Sequence, residues 1–144
     1  MPQKVFVSHN NGNQLLEKEL TDQIISAAIE VHRGSDPGLL ESAYQLCMAH
    51  ECKLRKLLFE QQVPLKVAYK GILLDGGYRL DFIFNKLVIV ELKTVEIVLP
   101  VHEAQLLTYL KLTGIHVGLL INFNVPALRT ASIAACSRLI KANL

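Results

Sequence analysis

The run Tyr78-Arg79-Leu80-Asp81-Phe82-Ile83-Phe84-Asn85-Lys86-Leu87-Val88-Ile89-Val90-Glu91-Leu92-Lys93 decides the fold. It reads as two apolar strands joined by a tight turn. Side chains alternate across a strand, so Tyr78, Leu80, Phe82 and Phe84 share one face and Arg79, Asp81 and Ile83 the other. On the second strand Leu87, Ile89, Glu91 and Lys93 alternate with Val88, Val90 and Leu92. Glu91 and Lys93 therefore point the same way, roughly 6–7 Å apart. Whether Asp81 joins them is a matter of register, since a one-residue slip sends a side chain to the opposite face. A two-residue loop at Asn85-Lys86 pairs Asp81 with Val90. A three-residue turn, Asn85-Lys86-Leu87, pairs it with Glu91, and this second register is the expectation.

Two acids and a lysine in a half-buried hairpin demand a reason. Like charges directly opposite one another destabilise a sheet, and a buried carboxylate is costly unless paired or metal-bound. One reading has Lys93 neutralising Glu91 and Asp81 at a sheet end. The other has the two carboxylates holding Mg²⁺ or Mn²⁺, while the ammonium holds the attacking water or offsets developing charge.

Composition sets the frame. With 144 residues, 51% apolar and 19% charged, the chain is long enough for one core and too apolar to be disordered. No apolar run approaches the ~20 residues of a spanning helix, and residues 1–13 lack the apolar centre of a signal peptide. A loose N-terminal arm over 1–13, a single domain over 14–144 and a cytoplasmic location are the expectations. Three cysteines without a CxxC pair argue against a disulfide framework or zinc site, and Cys47 and Cys52 are read as small apolar fillers on a helix. A net charge of +2 neither announces nor excludes a nucleic-acid binder. The cluster Lys53, Arg55, Lys56 reads as a solvated helix end.

Upstream of the hairpin, Leu16, Leu20, Ile24, Ala28 and Val31 fall at three- and four-residue spacing, predicting a helix from about 14 or 21 to 32. Gly34 ends it, and Asp36 and Pro37 open a second helix to about 57. There Gly38, Glu41 and Tyr44 form one stripe. Glu41 either complements the helix dipole or, flanked by Leu39, Leu40 and Ala43, turns towards the core. Gly38 is expected to let this turn approach the sheet closely. Tyr44 is read as a core aromatic or an orienting donor, and His32 as a packing histidine. A strand follows over 63–69, then a turn at Lys70-Gly71, residues 72–74, and a second turn at Asp75-Gly76-Gly77. Beyond the hairpin, a helix over 101–112 puts His102, Gln105 and Tyr109 on one face and Leu106, Leu107 and Leu110 towards the core. His102 serves either the helix start or the site. Residues 118–123 read as a buried strand, parallel to a neighbour through the helical crossover. The tail, 127–144, has a helical composition.

Asp81, then Glu91-Leu92-Lys93 ten residues on, resembles the D…(D/E)xK signature of the PD-(D/E)XK nuclease superfamily. Gly38-Leu39-Leu40-Glu41-Ser42-Ala43-Tyr44 is similar to the motif of its small GxxExxY family, and Gln105-Leu106-Leu107-Thr108-Tyr109 resembles the QxxxY motif of its exonuclease-like branches. The similarity spans residues 22–126, with Leu80 where a proline usually precedes the first acid. The resemblance implies an α/β (α+β) fold with a restriction-endonuclease-like αβββαβ core, its mixed central sheet flanked by helices, and a short strand near the chain's end. It implies metal-dependent hydrolysis of nucleic acid, DNA or RNA. Asp81 and Glu91, Glu41 through water, and the Leu92 carbonyl would hold Mg²⁺ (or Mn²⁺), Lys93 would position water, and Gln105 and Tyr109 would sit over the site. A homodimer fits a domain this small acting on a duplex. The alternatives are a non-enzymatic nucleic-acid- or protein-binding module on the same fold, and a hydrolase of smaller phosphoesters.

Overall fold

A computed structural model of the chain describes residues 11–35, 38–128 and 134–137. Most of the expected arm, the Asp36-Pro37 helix start and much of the tail lie outside these residues. Helix α1 spans Asn11–Gly34 and α2 spans Glu41–Leu54. Strands β1 (Phe59–Tyr69), β2 (Ile72–Phe84) and β3 (Val88–Lys93) follow, then α3 (Pro100–Thr113), β4 (Val117–Asn122) and β5 (Ala134–Ser137). The five strands lie side by side in chain order. Only β3 and β4 run parallel, joined through α3, while the other neighbours are antiparallel. This α+β architecture contains the expected αβββαβ core around a mixed sheet.

Two apolar clusters flank the sheet. On one face α1 and α2 pack Ile24, Ala28, Tyr44 and Met48 against Phe82, Phe84, Val88, Val90 and Leu92. On the other face α3 packs Leu106, Tyr109 and Leu110 against Leu80, Ile83, Ile89 and Leu120. Central β3 and β4 are therefore covered on both sides, which is why their sequences are continuous apolar runs. The α1 stripe works from Leu20 onwards, and Leu16 is exposed. Cys52 is buried among these residues, but Cys47 faces solvent and fills nothing.

Three local expectations are corrected. Asp75-Gly76-Gly77 is not a turn. It is a bulge within one continuous β2: register passes from Leu65↔Tyr78 to Lys66↔Asp75, Gly77 takes φ +76°, and its amide donates to Asp75 Oδ1 at 3.0 Å. Gly38 makes no close approach, since nothing lies within 4 Å of where its Cβ would be; a φ of +81° is what requires glycine there. Helix α2 begins at Glu41, not residue 37, with Leu40 as a cap lacking any side-chain hydrogen bond. The C-terminal strand agrees with the family resemblance and not with the helical composition.

Candidate active site

The hairpin register is the one that brings the acids together. Pairs Phe84↔Val88, Ile83↔Ile89 and Phe82↔Val90 place Asp81 opposite Glu91, across a three-residue connection in which Asn85 and Lys86 take φ of +48° and +56°. The ladder then opens. Continued, it would give the Leu92 amide to the Leu80 carbonyl; instead Leu92 N–H donates to Asp81 Oδ2 at 2.8 Å, and Asp81 N–H donates to Glu91 Oε1 at 3.0 Å. Each carboxylate satisfies a backbone donor on the other strand, where buried amides need partners. Strand β2 also turns over here. Tyr78 packs edge-on to Tyr109 and Leu80 joins the α3 cluster, while Phe82 and Phe84 face α1 and α2. The expected shared face of these four residues is thus broken at Asp81.

Asp81 and Glu91 are each only 8% exposed. Burial raises both carboxyls above their ordinary range, and the neighbouring Asp81 charge helps push Glu91 up to about 8. The Leu92 amide and the Lys93 ammonium oppose the rise at Asp81. The two carboxyl groups lie within hydrogen-bonding reach of each other. Two buried anions so close require a proton or a cation between them. Their oxygens are hard ligands that fit Mg²⁺ or Mn²⁺. The Leu92 amide faces β2, and its carbonyl lies on the same strand edge.

Glu41, the first residue of α2, feels both Lys93 and Asp81. Burial raises its carboxyl, the Lys93 ammonium lowers it, and Asp81 raises it further. Among the described residues no three His, Cys, Asp or Glu side chains cluster to hold a metal. On α3, Gln105 Nε2 donates to the Tyr109 hydroxyl at 2.8 Å. Burial first, then the Glu91 charge, push the Tyr109 phenol up to about 12, so its O–H stays a donor beside Glu91. His102 serves the helix start: its Nδ1 accepts the Leu99 amide at 3.0 Å.

The family model of the PD-(D/E)XK nuclease superfamily matches residues 18–134. The chain belongs to the PD-(D/E)XK nuclease superfamily. No curated protein and no solved structure matches it. The matched residues include Asp81, Glu91 and Lys93 of the hairpin.

Three polar residues at or beside this centre were missed in the sequence. Gln45 Nε2 donates to Asp81 Oδ1 at 3.1 Å, and Gln62 Nε2 donates to Gln45 Oε1 at 2.7 Å. Asn122, paired in register with Lys93, accepts the Val95 amide at 3.1 Å and donates to the Val95 carbonyl at 2.8 Å. Gln45 alone carried a signal, lying one helical turn after Glu41. Tyr44, by contrast, is a core residue stacked on Phe123 at 4.5 Å. His32 is the packing histidine expected, its Nε2 2.8 Å from the Val125 carbonyl oxygen.

Proposed function

We propose that this chain is a metal-dependent nuclease that hydrolyses phosphodiester bonds in nucleic acid. The observation that carries the reading is the buried Asp81–Glu91 pair at the point where β2 and β3 part, with Lys93 close enough to lower both carboxyls. Asp81, Glu91 and the Leu92 carbonyl would hold Mg²⁺ or Mn²⁺, with Glu41 acting through water. Such an ion, when bound, lowers the pKa of water and compensates charge on a phosphate.

The side chains do the rest. Lys93 holds the attacking water and offsets charge gathering on the phosphate oxygens. Water gives up a proton as its oxygen bonds to phosphorus, one ester P–O bond breaks, and the departing oxygen takes up a proton in exchange. Gln105 fixes the Tyr109 hydroxyl, and Tyr109 orients Glu91 from the α3 side. Membership of the GxxExxY group is part of the same reading: it is supported by the left-handed Gly38, by Glu41 opening α2 near Lys93, and by Tyr44 fixing that helix to the core.

The test compares cleavage of DNA and RNA in Mg²⁺, Mn²⁺ and EDTA, for wild type and Lys93→Ala. Chelation should abolish cleavage and Lys93→Ala should lower kcat by at least about 100-fold. Cleavage indifferent to both would refute the assignment.

A further inference from the structure

Strand β1 breaks its own regularity opposite Asp81. Its pairing with β2 runs Gln61↔Phe82 and then Val63↔Leu80, passing over Gln62, the residue facing Asp81. Gln62 takes φ +50°, a left-handed conformation that costs a non-glycine residue and persists only where the surroundings impose it. From that position its amide reaches across to Gln45 on α2, Gln45 reaches Asp81, and Gln62 also acts on Asp81 directly, helping to hold that carboxyl down. The chain of bonds has one possible direction. A carboxylate can only accept, so Gln45 must offer it the NH₂ group and turn its own oxygen outward, where Gln62 must offer NH₂ in turn. Asp81 is thereby held at both oxygens, Oδ1 by Gln45 and Oδ2 by the Leu92 amide, each oxygen keeping a second lone pair.

We infer that Gln62 is a positioning residue of the cation site, which directly and through Gln45 sets the orientation of the Asp81 carboxylate before an ion arrives. This rests on the metal-binding reading of the Asp81–Glu91 pair. Backbone strain at Gln62 is the cost of aiming its side chain away from the ordinary strand direction and onto α2. Gln62 itself is exposed and belongs to neither apolar cluster, so it has no packing role to explain the conformation.

The strain supplies the test. Gln62→Gly removes the amide and relaxes φ +50° together, so a residue kept for stability and one kept for positioning give opposite results. Mn²⁺ affinity is read by calorimetry and thermal stability is read without metal, for wild type, Gln62→Gly, Gln45→Ala and the double variant. Positioning predicts a Tm at or above wild type for Gln62→Gly, with Mn²⁺ affinity down about 10-fold or more. It also predicts that the double variant loses less affinity than the two single losses combined, because Gln62 holds Gln45 as well as Asp81. Wild-type affinity in Gln62→Gly, a loss of affinity that merely follows a lower Tm, or additive losses in the double variant would each overturn it. Failure of the wild type itself to take up Mn²⁺ would remove the underlying metal reading as well, a distinct result.

Discussion

Asn122 shows how much can hang on one side chain. It is 7% exposed, and its amide answers three backbone groups: the Val95 N–H, the Val95 C=O and the Asn124 N–H at 3.2 Å. Those groups belong to the segments leaving β3 and β4, and Asn122 stands in register with Lys93. Asn122→Ala leaves three donors and acceptors short of partners, which costs about 2–3 kcal/mol. Denaturant unfolding should show that loss at unchanged m-value, and cleavage should fall as the segment after Lys93 loosens. A stability loss below about 0.5 kcal/mol would mean that water replaces these bonds freely. Nothing in the sequence singled Asn122 out, because a polar residue closing an apolar run looks like any strand end. Asp81, Glu91 and Lys93 were legible for the opposite reason: a period of two and a turn length sufficed to place them. Gln62 was illegible because its function needs a left-handed φ, which glutamine rarely adopts.

At the scale of elements, the hairpin register was readable and the course of β2 before it was not. Asp75-Gly76-Gly77 carries the chemistry of a turn, yet β1 pairs with β2 on both sides of it, and that pairing turns a loop signal into a bulge. The turnover at Asp81 was equally hidden, since it arises from carboxylates competing for backbone amides and not from any break in the apolar pattern. Helix α3 was placed correctly by its spacing, and its seat on the sheet depends on one glycine. A Cβ at Gly118 would lie 2.9 Å from Leu106 Cδ1 and 3.0 Å from its Cγ, with Leu106 itself buried. Gly118→Ala must therefore push Leu106, and with it the helix carrying Gln105 and Tyr109. We expect a loss of about 1–3 kcal/mol from overpacking. Leu106→Val in the same chain should recover part of it; no recovery would place the strain elsewhere.

For the molecule as a whole, the covered sheet, its helical layers and the cost of two facing acids were readable, while the resulting rise in proton affinity at Glu91 was not. A buried acid pair binds protons more tightly folded than unfolded. Glu91, pushed from 4.5 up to about 8, remains protonated in the folded protein across a range where the unfolded chain has already lost the proton. Unfolding then releases protons, so stability falls as pH rises from about 4.5 through about 8. The metal-free protein should melt higher at pH 6 than at pH 8.5, and Glu91→Gln should flatten that difference. A divalent ion competes with the same proton, so the rise in Tm on adding Mn²⁺ should be small at pH 6 and large at pH 8.5. Wild type and Glu91→Gln, melted with and without Mn²⁺ at both pH values, separate this coupling from the titration of other groups. If the wild-type and Glu91→Gln profiles run parallel, the carboxyl at Glu91 is ionised in the folded state at neutral pH, and a proton does not stand in for the cation between the two acids.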